Sequence, residues 1–322
     1  MHRFALALLL AASPALAAKK PPPLPPLILD AASPIVTVTI EGQPLRLRVD
    51  GGATRHVELN ASTARRLGLD LPDRLVGGQP VDRGRSITQV GKVSVKGITT
   101  AEVVEYAGRL VPMTMAWNDD RNNKAGKKRI DPDFIADADG VIGPWLLPHD
   151  SVRIVRRPVA ASDRETVLPL RWSSGRGMLG RLAVGDDEVD IVITPVAATS
   201  IATAAAAAIL AGPYGGQLKG PARDVPVAHG VARPVRDVVF AKPVDAAGVR
   251  LSRVAARVFD WSGKTQIPDA DLGPDEAVVA GRAGAQSEWA KLAIGNDHLA
   301  NCAEIGWTRA PLAYALVCPA LP

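Results

Sequence analysis

The sequence predicts a mostly β protein organised as two related halves. Three observations lead there. Glycine and proline account for 29 and 27 of the 322 residues, which suits many short strands joined by turns rather than a helical bundle. Val36-Thr37-Val38-Thr39-Ile40 alternates apolar and polar residues with the period of two that a half-buried strand requires. The order strand, turn, strand, loop, helix found there recurs 144 residues later. At about 150 residues per domain the length also fits two domains. Apolar residues make up 47% of the chain but aromatics only 4%, so the core must be built from Ala, Val, Leu and Ile. A charged fraction of 22% does not describe a disordered chain. The net charge of +5 is spread out, with no module of aromatic and basic residues, so no nucleic-acid partner is expected.

Residues 1–17 read as a secretory signal, with Arg3, an apolar run at 4–12 and the small-x-small site Ala15-Leu16-Ala17. The mature chain is then expected to start at Ala18, an uncleaved N-terminal anchor being the alternative. Residues 18–33 carry Lys19, Lys20 and a cluster of prolines from Pro21 to Pro26, and are expected to form an extended tether without helix or sheet. The halves are assigned to 34–160 and 161–322. Downstream of the signal no stretch reaches the roughly 18 apolar residues needed to cross a bilayer, the alanine-rich 201–211 being nearest. No transmembrane span is expected after signal removal, and the expected location is periplasmic or secreted.

In the first half, the alternating segment turns at Glu41-Gly42-Gln43-Pro44 and returns as Leu45-Arg46-Leu47-Arg48-Val49, a β-hairpin. It runs into Asp50-Gly51-Gly52-Ala53-Thr54, after which Asn60 or Ser62 is placed to cap a short helix through Ala64 and Leu67 to Gly68. In the second half Gly185-Asp186-Asp187-Glu188 takes the place of the turn, Val189-Asp190-Ile191-Val192-Ile193 that of the strand, and Thr194-Pro195-Val196-Ala197 that of residues 50–53. Helix-forming residues 204–210 follow. Asp139-Gly140-Val141-Ile142-Gly143 near the end of the first half corresponds to Lys291-Leu292-Ala293-Ile294-Gly295 at an offset of 152. The chain has two cysteines, Cys302 and Cys318, flanking segments able to fold back around Thr308-Arg309-Ala310-Pro311. In an exported chain a disulfide is the favoured reading, stabilising by about 3 kcal/mol in the chain-entropy model, against two buried thiols.

A hairpin ending in Val49-Asp50-Gly51-Gly52-Ala53-Thr54, a helix ending in Leu67-Gly68-Leu69, and, about 70 residues later, Asp139-Gly140-Val141-Ile142-Gly143 resemble the aspartic proteases of the retropepsin and pepsin type, and most nearly their exported bacterial members. The likeness covers residues 34–156 and, more faintly, 178–316. It implies a two-lobed acid-protease-like fold of duplicated retropepsin-like closed barrels with short helices, a central cleft, and a flap within residues 79–113. The family motif is Asp, then Thr or Ser, then Gly, then Ala, Ser or Thr. Asp50, Gly52 and Ala53 match it and Gly51 does not.

These enzymes hydrolyse peptides with two carboxylates about 3 Å apart that share one proton, one activating water and the other polarising the carbonyl. Here the second aspartate aligns with Thr194. Asp190, four residues back along a strand, stands about 13 Å away and cannot reach. Gly51 lacks the hydroxyl that the family uses to join its two catalytic loops, and Pro195 removes a backbone donor from the second. The resemblance therefore implies a noncatalytic descendant that binds a peptide, protein or other ligand in the cleft, or alternatively an active aspartic endopeptidase using Asp50. A monomer is expected, since the second lobe already fills the position that a partner subunit would take.

Other motifs carry less. Gly175-Arg176-Gly177-Met178-Leu179-Gly180 has dinucleotide-binding spacing, but it should open a helix and is followed by a strand pattern. Asp133, Asp137 and Asp139 lack the ligand positions of a calcium loop, which fall on Ile135 and Leu146. His56, His149, His229 and His298 have no partner at metal spacing. His56 lines the cleft or sits on the surface before the helix, and the lysine-rich stretch within 118–129 reads as a solvated loop, with an acidic partner or lipid headgroup as the sharper alternative. No cofactor and no metal is expected.

Overall fold

The computed structural model describes residues 22–71, 74–76, 79–121, 123, 130–173, 176–261, 267–271 and 289–320. The expected signal, Gly175 and residues 124–129 lie outside them. In chain order the strands are β1 (Leu27–Asp30), β2 (Ile35–Ile40), β3 (Gln43–Val49), β4 (Val57–Leu59), β5 (Leu75–Val76), β6 (Gln79–Pro80), β7 (Arg83–Val90), β8 (Val93–Tyr106), β9 (Arg109–Asn118), β10 (Gly140–Ile142), β11 (Ser151–Val155), β12 (Asp163–Pro169), β13 (Arg171–Ser173), β14 (Gly177–Val184), β15 (Asp187–Ile193), β16 (Ile201–Thr203), β17 (Gly216–Ala228), β18 (Val231–Ala246), β19 (Val249–Arg257), β20 (Lys291–Ile294), β21 (Glu304–Arg309) and β22 (Leu312–Pro319). The helices are α1 (Ala61–Arg66), α2 (Ala204–Tyr214) and α3 (Asn296–Leu299). The protein is mostly β.

Alternation fixes the first hairpin. Val36, Val38 and Ile40 of β2 and Leu45, Leu47 and Val49 of β3 all point into the core, and a one-residue slip would turn every one of them outward. The hairpin belongs to a sheet ordered β2-β3-β10-β4-β9-β8-β7, which closes through the pairing of Thr39 with Glu105. Six strands thus form a barrel, with β7 continuing outside it. A second sheet runs β13-β14-β15-β20-β16-β19-β18-β17. Its pairings repeat those of the first in sense and order: β15 with β20 parallel like β3 with β10, β20 with β16 antiparallel like β10 with β4, β16 with β19 parallel like β4 with β9. Two closed barrels are expected from the sequence, but among the described residues only the first closes. The edge of β14 is taken by β13, so the second sheet stays open.

A third sheet, β1-β11-β21-β22-β12, lies at the base, and one apolar core cluster includes residues of all three sheets. Its first strand corrects the reading of 18–33 as a tether without sheet. Leu27, Ile28, Leu29 and Asp30 contain no proline, so their amides are free to pair in parallel with β11. Just upstream, the Leu24 amide donates to the Pro148 carbonyl at 2.7 Å, and the Pro25 carbonyl lies 2.5 Å from His149 Nδ1.

The two longer helices begin differently. Asn60 is the N-cap of α1, but its amide group turns away to bond Ile135 and Ala138 carbonyls at 2.7 and 3.1 Å, tying the helix start to the segment before β10. Thr203 caps α2 by accepting from the Ala206 amide, and Gly215 ends it at φ 63°.

Candidate functional site

The two loops that follow β3 and β15 are held alike. The Asp50 amide donates to the Ile142 carbonyl at 3.0 Å and the Thr194 amide to the Ile294 carbonyl at 2.9 Å. The Ala53 amide then turns back to Asp50 O, and the Ala197 amide to Thr194 O, at 3.3 and 3.1 Å. This equivalence brings the two loop residues face to face. Thr194 Oγ1 donates to Asp50 Oδ2 at 2.9 Å, and both residues are buried.

Asp50 is a carboxylate out of water with little to compensate it. Burial raises its pKa to about 6. Hydrogen bonds from the Thr194 hydroxyl and the Gly52 amide oppose this, Glu58 adds repulsion, and Lys291 gives attraction. Oδ1 is buried without a hydrogen-bond partner. A Cβ on Gly52 would stand 2.9 Å from Asp50 Oδ2 and 3.1 Å from Thr194, so glycine at 52 is what lets the loops approach.

Gly51 meets the base sheet. A Cβ there would fall 1.9 Å from the Tyr314 hydroxyl and 2.3 Å from the Ile193 carbonyl, so the space of the missing side chain is filled by Tyr314 of β22. Beneath both loops a void of about 10 Å³ is lined by Gly51, Pro195, Trp307 and Tyr314 among others. Trp307 Nε1 and the Tyr314 hydroxyl are buried there without partners. Burial, and then the negative charge of Asp50, push the Tyr314 phenol far above its ordinary range.

Two hairpin tips join the units. The β7–β8 tip carries Gly91 against the Asp260 carboxylate, which Arg233 and Arg257 hold, while Val90 and Val95 pack on Val231. Reciprocally, the β17–β18 tip sets His229 Nδ1 3.4 Å from Glu58 Oε2, and the Gly230 carbonyl accepts from the Asp131 amide at 3.0 Å. Glu58 in turn accepts from the Thr54 amide, so this tip reaches the Asp50 loop through one side chain.

Asp190 sits in a separate cluster. Arg171 donates to it at 2.5 Å, Trp289 Nε1 at 2.6 Å, and Arg176 lies 3.9 Å away. Arg176 and Lys291 stand 4.6 and 5.1 Å from the centre of the Trp289 ring. Burial, followed by repulsion from Arg257, lowers the Lys291 pKa to about 8. The cluster borders the site: a Cβ on Gly177 would lie 3.3 Å from the Ala53 carbonyl.

Asp50, Gly51, Gly52 and Thr194 are therefore brought together, with Ala53 completing the turn, and Asp190 is not among them. Asp137 pairs with Arg48, and Asp139 accepts from Arg66 and the Arg46 amide, which accounts for two of the carboxylates weighed against calcium. His56 is partly buried and accepts from Arg55. Cys302 and Cys318 form a disulfide, and no helix among the described residues is long and apolar enough to cross a membrane. Tyr314, Lys291 and Trp289 have no motif that marks them in sequence; the only cue is a lysine heading an otherwise apolar strand. No family model matches the chain, and the comparison with curated proteins finds no similar sequence.

Proposed function

We propose that this chain is an exported, two-lobed protein of the acid-protease type that binds a peptide or similar ligand between its lobes without hydrolysing it. The observation that carries the reading is the 2.9 Å bond from Thr194 to Asp50. Two loops with matching backbone bonds meet at a carboxylate on one side and a hydroxyl on the other. Peptide hydrolysis by paired aspartates needs an acid and a base that exchange one proton. A threonine hydroxyl does not ionise in this range, and here it donates to Asp50 without exchanging the proton, so it cannot take the part of the second acid. The matching strand pairings of the first two sheets support descent from a duplicated unit, and the Cys302–Cys318 bond fits an oxidising compartment outside the cytoplasm.

The alternative, an active aspartic endopeptidase, draws on Asp50 itself, whose unpartnered oxygen and pKa near 6 suit a general base. The test is incubation of the purified chain with a diverse peptide library between pH 3 and 7, read by mass spectrometry. No cleavage is expected, and Thr194→Asp, which supplies the second carboxylate, is expected to introduce some at acid pH. Wild-type cleavage that disappears in Asp50→Asn would overturn the noncatalytic reading. Sedimentation should return a monomer.

A further inference from the structure

We propose that the cluster around Trp289 is an anion subsite beside the Asp50 loop, and that the ligand it selects is an acidic peptide; this rests on the cleft-binding reading above. The contacts are unevenly shared. Arg171 and Arg176 both reach one carboxylate, Asp190, while Asp190, Asp50 and Glu58 act on Lys291 only through space. Among the described residues the Lys291 ammonium makes no hydrogen bond and no ion pair, only the contact with the Trp289 ring. A partly buried cation in that state is costly unless an anion meets it.

The geometry also gives access and direction. Arg171 and Arg176 are 43% and 49% exposed in their side chains, so an incoming carboxylate can reach both from solvent. Asp190 is fixed by Arg171 and Trp289, and its bond from the indole holds that ring within reach of both the Arg176 and Lys291 cations. The charged groups acting on Lys291 are Arg257, Asp50, Glu58 and Asp190, of which Asp190 is already bonded and Asp50 faces Thr194. Among the described residues none of these carboxylates bonds the Lys291 ammonium, so its hydrogen bonds are open to an arriving one. Because Gly177, next to Arg176, abuts the Ala53 carbonyl, an acidic side chain held here would belong to a peptide whose backbone runs past residues 50–54.

The experiment uses the full chain and two fluorescent, photo-crosslinkable octapeptides, blocked at both ends, in which alanine alternates with glutamate in one and glutamine in the other. Anisotropy titrations at pH 6.5 and low salt are expected to give at least tenfold tighter binding of the glutamate peptide. Lys291→Met and Arg176→Gln, each with an unchanged melting temperature, should together reduce that preference below about threefold, and crosslinks should fall near residues 50–54. Equal binding of both peptides overturns the anion subsite and leaves the cleft reading standing. A preference that vanishes in Lys291→Met but crosslinks far from the Asp50 loop keeps the subsite and overturns the cleft reading. Absence of binding by either peptide overturns both. Displacement by inorganic phosphate at the peptide's own concentration and matched ionic strength overturns the assignment to a peptide.

Discussion

Asp50 and Asp190 are equally hidden, at 6% and 7% exposure, and are held in opposite ways. Asp190 is saturated: an arginine and an indole donate to it, and a second arginine stands behind. Asp50 has a hydroxyl and one backbone amide on one side, and on the other an oxygen with no donor at all. Asp190 is a carboxylate whose charge organises its neighbours, while Asp50 is a carboxylate left incomplete. Burial by itself therefore does not separate the two acids; the unmet oxygen does.

The comparison can be broken most directly at Asp50. Its folded pKa of about 6 lies above the ordinary 3.8, so folding favours the protonated form. The carboxyl's contribution is complete below pH 4 and is lost as pH rises through 6. Asp50→Asn, which keeps an acceptor for Thr194, is expected to raise stability by up to about 3 kcal/mol at pH 7.5 and to have no effect at pH 3.5. Urea melts at the two pH values check this, and a loss of stability at pH 7.5 would break the contrast. At Asp190 the sign reverses. Asp190→Ala strips partners from Arg171 and Trp289 and is expected to cost about 2 kcal/mol near neutrality, moderated because the arginine is half exposed. A neutral outcome would mean that the cluster does not hold the fold. The smallest effect belongs to Tyr314→Phe. Its hydroxyl is buried without a partner, so removal should change stability by less than about 1 kcal/mol and leave the Asp50 titration seen by carboxyl NMR in place. A large downward move of that titration would assign the phenol part of the Asp50 environment.

Local signals were legible and long-range ones were not. The hairpin of residues 36–49, the start of a short helix after Asn60, and the correspondence of Asp50 with Thr194 depend on short patterns or on repetition, which sequence carries openly. The disulfide is the reading favoured by two cysteines in a chain expected to be exported, and the bond is present. Strand β1 was hidden by the prolines before it, since its pairing partner lies more than 120 residues away. Nothing local makes Tyr314 the neighbour of Gly51, and nothing local distinguishes Asp190 from any other acid in an alternating strand. Those assignments depend on which distant strand arrives, so composition and period cannot make them.

The base sheet has a consequence for the order in which the protein is made. Its strands come from 27–30, 151–155, 163–169, 304–309 and 312–319, so β11 pairs with β1 while the chain is half synthesised but waits for β21, about 150 residues later, to cover its other edge. Pairings such as Ser151 with Thr308 make folding slow by topology alone. In the interval a bare strand edge is open to other chains. A nascent chain stopped before residue 304 keeps that edge and lacks both the Tyr314 seat under Gly51 and the cysteine that closes the loop, which makes residues 304–319 a safeguard against aggregation during synthesis as well as a support of the candidate site.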